Sequence, residues 1–293
     1  MTSKPSQGVY PILALLLAAT LWGVIWYPLR LLQDAGLAGI WSTLIMYFSA
    51  TLVGAVIVFR YLHEFLRRPW LLLLIALANG WANVAFILAV IDGNVVRVLL
   101  LFYLSPVWTV ILGSLILGER LTRFSLITLV VAMAGAMFML WDPEIGSLWP
   151  RDTADWLAIS AGLAFAFSNV FVRMADDVRV RTKTFATWVG VTLTAGLLIV
   201  MSESSVPAVA GEILAWAVLL GILFTVVMTL AVQYGVTHMP VQRSAIILLF
   251  ELVAGAISAQ LLTDEVVLPR EWLGGALILM AAYIAATRQT TGS

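Results

Sequence analysis

Polar side chains are scarce in this sequence, and those able to do chemistry stand inside long apolar runs. Glu251 lies in the middle of one such run. An ionised carboxylate there is expensive unless it is protonated, paired or facing water. A protonatable carboxyl could couple solute movement to proton entry; a structural or gating role fits the same position. Asn79, Asn83 and Phe86 fall at i, i+4 and i+7, one helical face. Thr225, Thr229 and Val232 repeat that spacing in a later run. Tyr103, Ser105 and Trp108 stand close together, and Ser168-Asn169 form a one-turn polar spot able to meet a solute's amino or carboxyl group. Trp22 and Trp108 lie deep in their runs, as do Trp26, Trp81 and Trp188. Such residues either line a wet path or bond between helices, the latter worth about 0.6 kcal/mol on average. A pocket for an aromatic solute wants apolar walls and ring partners. We therefore take Trp22, Asn79, Asn83, Phe86, Tyr103, Ser105, Trp108, Ser168, Asn169, Thr225, Thr229 and Glu251 as the candidate lining of a solute cavity.

Other chemistries find little support. The two lysines, Lys4 and Lys183, lie in no glycine-rich phosphate-binding loop. His63 and His238 are isolated, and a chain with 0 cysteines has no credible metal set. No nucleophile stands beside a base, and no cofactor is expected. The formal charge of +0 argues against nucleic acid as a partner.

The elements that must position these residues follow from composition. Of 293 residues 62% are apolar and 11% charged, with mean hydropathy +1.03. Soluble domains carry about 25% charged residues, and disordered chains are far less apolar. An all-α polytopic membrane protein remains, with the lipid bilayer as its surroundings. About 20 apolar residues cross the hydrocarbon. Ten stretches qualify: 9–29, 39–61, 70–91, 95–117, 124–141, 155–174, 184–203, 213–235, 241–262 and 271–287. Runs such as Leu71-Leu72-Leu73-Leu74-Ile75 do not alternate, which excludes a β-barrel. The first stretch lacks a small-residue cleavage site and reads as a retained helix.

Sorting connectors alternately to two sides puts 12 Lys and Arg on the amino-terminal side and 4 (Arg30, Arg97, Arg151, Arg270) on the other. Positive charge stays inside, so both termini are expected in the cytoplasm. Trp41, Trp70, Trp141, Trp149, Trp156, Trp216 and Trp272 fall near span ends, as interfacial anchors do. Ala132, Ala136, Gly274 and Gly275 give small-residue faces for close helix packing, within one chain or between protomers.

One offset, 146 residues, aligns the chain with itself: Trp70 with Trp216, Arg97 with Arg243, Glu119 with Glu265. Residues 1–146 and 147–293 then form two repeats of five helices each. Five is odd, so the second repeat enters the membrane inverted. Arg97 and Arg243 belong at opposite faces, where they hold a substrate carboxylate or, the favoured reading, snorkel and anchor loops. Inverted repeats place a solute site near the midplane and imply alternating access.

Trp22-Gly23, Pro106-Val107-Trp108, Gly118-Glu119-Arg120-Leu121-Thr122, Asn169-Val170 with Arg173, Glu251-Leu252-Val253 and Trp272-Leu273-Gly274-Gly275-Ala276 are similar to the drug/metabolite transporter superfamily, EamA type. The resemblance covers nearly the whole chain. It implies ten helices in two inverted five-helix repeats, and ATP-independent export of metabolites across a plasma (bacterial inner) membrane. Spacing and aromatic content look most like exporters of aromatic amino acids; other amino acids or drugs are the alternative, and a membrane-embedded enzyme a more distant one. The family commonly has proline after the ninth-helix glutamate, where this chain has Leu252, so a hinge there is not implied. Its Gly-Glu pair is Asp264-Glu265 in the second half. Sequence does not choose between monomer and dimer.

Overall fold

The computed structural model describes residues 9–141, 149–264 and 266–287, and every element among them is helical. In chain order these are α1 (Val9–Asp34), α2 (Gly39–Val58), α3 (Pro69–Asp92), α4 (Val95–Phe102), α5 (Ser105–Leu117), α6 (Arg123–Leu140) and α7 (Thr153–Met174). They continue as α8 (Val180–Met201), α9 (Gly211–Leu220), α10 (Val226–His238), α11 (Val241–Leu248), α12 (Phe250–Leu262) and α13 (Pro269–Thr287). Three pairs (α4/α5, α9/α10 and α11/α12) each make one span with an interruption inside it. Among the described residues 9 segments are long and apolar enough to cross a bilayer. A tenth, α13, runs 19 residues and carries Arg270 and Glu271 in its first turn.

Local chemistry explains where helices begin and stop. Asn94, Thr122 and Asp152 accept the backbone N–H three residues on, satisfying donors at the starts of α4, α6 and α7. Pro69 opens α3 at a position that needs no N–H. Gly118 closes α5 in the left-handed region (φ 66°), and the Glu119 amide then reaches back to Gly113 O. The matching turn after α12 has no such geometry. Thr263 is extended, and Asp264 replaces the glycine. Its partner Glu265 lies outside the described residues, as does the expected repeat boundary at 146/147.

Short connectors force neighbouring spans to run antiparallel, so contacts between connectors sort into two ends. At the near end, where α1 begins, Glu64 meets Arg179, Arg181 and Thr182, and Arg68 pairs with Asp177. Lys183, fully buried, gives its three protons to Val172 O, Ala175 O and Thr237 Oγ1. Arg243 there binds the carbonyls of Ala285 and Ala286 in the last turn of α13. At the far end Arg97 pairs with Asp155 at 2.7 Å and holds Trp149 O. Arg97 and Arg243 thus stand at opposite ends, each in a structural bond. α6 packs on α13 inside the chain. A Cβ on Gly135 would come within 2.6 Å of Gly274 O, so the small-residue faces serve intrachain packing. Trp70, Trp149, Trp156, Trp216 and Trp272 are all more than half exposed. That exposure suits interfacial rings.

Candidate functional site: a central cavity open at one end

A cavity of about 810 Å³ runs down the middle of the bundle, within the range of small-molecule sites. Its walls come from both halves of the chain. α1, α3, α4 and α5 face α7, α10, α11 and α12 across it. The lining reaches the far end, where Leu29, Val96, Trp141, Val266 and Arg270 form the mouth. Toward the near end it stops at Thr109, Thr187, Gln233 and Ala245. Below that floor the near-end contacts close the bundle. Glu119 Oε1 accepts the Val241 amide at 3.1 Å, and Arg173 donates to Thr237 O. Burial raises the Glu119 carboxyl above the ordinary carboxylate range, against the opposing pull of the Val241 amide, the Arg173 charge and Gln242.

Of the twelve candidate residues, nine line this cavity: Trp22, Asn79, Asn83, Phe86, Tyr103, Ser105, Asn169, Thr229 and Glu251. The other three stand elsewhere, for separate reasons. Ser168 is 2% exposed and lies behind Asn79, whose amide donates to it. Thr225 ends a π turn, Gly221–Thr225, and is fully buried among its neighbours, its hydroxyl closed off from the cavity. Ser105, Pro106 and Thr109 carry the lining face of α5. At 100° per residue Trp108 falls about 110° from the centre of that face. Its Nε1 is buried without a partner. Among the other deep tryptophans, Trp26 lines the cavity and donates to Ser258. Trp188 donates to Thr229, and Trp81 is 47% exposed on the outer surface.

Two interruptions shape the chamber. α4 gives way to α5 at Tyr103-Leu104, and α11 to α12 at Leu249. They are 146 residues apart, and neither needs a proline at the Leu252 position. Each break delivers a side chain to the cavity wall. Tyr103 hydroxyl donates to Glu251 Oε1 at 2.9 Å, tying one break to the other. Phe102 at the first break contacts Phe86, Tyr103 and Phe165 with ring centroids 4.9–5.9 Å apart. Those separations suit edge-to-face and tilted ring packing.

Sequence reading passed over Thr187 and Gln233. Gln233 Nε2 donates to Thr187 Oγ1 at 3.0 Å, and Asn79 joins the same hydroxyl at 3.2 Å. Gln233 follows Thr229 by one helical turn, a spacing that would have found it. Gly23 brings α1 against α12. A Cβ there would come within 2.6 Å of Glu251 O, and Gly23 O accepts from Ser258.

The chain is 30% identical over 132 residues to Protein RarD of Salmonella typhi and 27% identical over 132 residues to Protein RarD of Escherichia coli. These matches span 44% of this chain and 40% of the RarD proteins' length. An uncharacterized transporter of Archaeoglobus fulgidus is 26% identical over 248 residues, 83% of this chain and 87% of that one. A solved crystal structure shares the fold, with TM-score 0.74 over 94% of this chain and 96% of the other at 18% identity. Residues 9–141 and 152–287 both match the EamA-like transporter family. Two matched stretches that between them carry every wall of the cavity leave one assignment: the chain belongs to the EamA-like transporter family.

Proposed function

We propose that the protein is a secondary exporter of small ring-bearing amphiphilic metabolites, working by alternating access through the central cavity. The observation that carries this reading is the cavity itself, of about 810 Å³, walled by both halves, open at one end and sealed at the other. Partner choice among the helices supports two inverted repeats. α1 packs on α10 and α12, while its counterpart α7 packs on α3 and α5. With the near end in the cytoplasm, as the Lys and Arg distribution implies, this state faces outward. Export then requires the near-end contacts of Glu119, Arg173 and Lys183 to open in turn.

The rings of Trp22, Trp26, Phe86, Phe102, Tyr103 and Phe165 favour a solute with an aromatic face. Aromatic amino acids, the substrate implied by resemblance, meet that requirement. In proteoliposomes, labelled solutes carrying a ring should show saturable counterflow that excess unlabelled solute suppresses. Absence of saturable flux across a panel of amino acids and ring-bearing drugs, with folded protein, overturns the proposal.

A further inference from the structure

Resting on the carrier reading, we infer that the cavity selects a ring-bearing organic amine or quaternary cation without a carboxylate, its positive charge set against Glu251. The charges of the lining are few. Among the described residues, Glu251, Arg270 and Glu271 are its only charged side chains. Arg270 and Glu271 sit together at the mouth, in the first turn of α13. Glu251 sits deep, at the start of α12. From Glu251 to Leu262 the chain climbs eleven residues of α12, about 16 Å at 1.5 Å per residue, before reaching that end. The ammonium and carboxylate of one amino acid are separated by a small fraction of this length. A zwitterion placed at Glu251 therefore leaves its carboxylate without a cation. An uncompensated buried charge is costly.

The hydrogen-bonding groups point the same way. Asn79 Nδ2 donates to Ile75 O and Asn83 Nδ2 donates to Asn79 O, each one turn back. These bonds fix the amide orientation and leave both side-chain oxygens as acceptors. Gln233 gives its amide to Thr187, and its Oε1 is buried away from the cavity. Thr229 donates to Thr225 O. The donors left over, on Trp22, Tyr47, Ser105, Trp141 and Asn169, are neutral. A carboxylate entering this chamber meets only neutral donors below the mouth, whereas an ammonium meets a carboxylate, the amide oxygens of Asn79 and Asn83 and aromatic faces. Tyr103 holds one Glu251 oxygen and leaves the group on the cavity wall. Aromatic faces attract a desolvated cation further.

Three solutes with one ring separate the charge from the shape: tryptamine, L-tryptophan and 3-indolepropionate. Binding is read by calorimetry on the purified protein, and flux in proteoliposomes with N,N,N-trimethyltryptammonium, which cannot leak as a neutral amine. Tryptamine is expected to bind about tenfold tighter than tryptophan, and indolepropionate not at all. Glu251→Gln, which keeps an acceptor for Tyr103, should weaken tryptamine about tenfold. Tyr103→Phe, a second variant that spares the charge, should weaken it by less. Tryptophan binding as tightly as tryptamine, or a folded Glu251→Gln variant with unchanged tryptamine affinity, overturns the assignment. Saturable tryptophan flux with no preference for the cation overturns it while leaving the carrier reading standing. Tight tryptamine binding without flux of any probe supports the site and removes the carrier reading.

Discussion

Two glutamates at the near end show how one residue type is set to opposite purposes. Glu64 is 3% exposed. Burial by itself raises its carboxyl, but hydrogen bonds from Thr182 and Arg181 and the charges of Arg181 and Arg179 together outweigh that and hold it below the ordinary range. Its contribution is present above the ordinary carboxylate pKa and is lost as pH falls through that range. Glu119 has the reverse sign. Its carboxyl is raised, so the unfolded chain releases this proton first, and stability falls as pH climbs through the window above the ordinary value. Melting in detergent across a pH series separates them. Glu64→Gln should lose about 1–3 kcal/mol at neutral pH and progressively less in acid. Glu119→Gln should remove the wild-type decline above the ordinary carboxylate range, because Gln still accepts the Val241 amide without a charge to bury. A decline of equal slope in Glu119→Gln would place the titration elsewhere.

At the scale of elements, the breaks and close approaches matter more than the spans. Gly23 lets α1 lie on α12 beside Glu251, with room for no Cβ (2.6 Å to Glu251 O, 2.7 Å to Gly255 N). Gly23→Ala must therefore push backbone from backbone. It should cost about 1–3 kcal/mol in thermal stability and lower solute affinity by displacing Glu251. Wild-type stability together with wild-type affinity would contradict the contact. The spans themselves were readable. The stretches 95–117 and 241–262 end at the residues where their helices end, because Asn94 caps one and a change from apolar to polar residues closes both. Of the interruptions inside them, only the first carries a sequence mark, Pro106 in the first turn of α5. Nothing but one-turn geometry marks Leu249, which has φ −60° and ψ −14° and no proline after Glu251. The same limit explains the cavity. Asn79, Asn83 and Phe86 share a face that periodicity reveals. Trp108 was chosen for its nearness in sequence to Tyr103 and Ser105, yet the break at Tyr103-Leu104 and the angle around α5 turn it from the chamber. Thr187 and Gln233 were missed because a single amide or hydroxyl in an apolar run looks like ordinary interhelical bonding.

At the scale of the whole molecule, the question is which side the open end faces. The near end concentrates basic residues and interlocking contacts, while the far end holds the mouth of the cavity. Positive charge is retained in the cytoplasm, so the mouth should face outward and a solute leaving the chamber in this state should leave the cell. The chain contains 0 cysteines, which makes single-cysteine labelling clean. Asp34 and Arg67 are exposed at the far and near ends, respectively. On intact cells a membrane-impermeant maleimide should label Asp34→Cys and leave Arg67→Cys untouched until the membrane is permeabilised. The opposite pattern would turn the molecule over: the same chamber would then open to the cytoplasm, the sealed end would face outward, and export would have to begin from the state described here. Labelling of both positions in intact cells would break the sorting of connectors into two ends, and with it the antiparallel bundle that encloses the cavity.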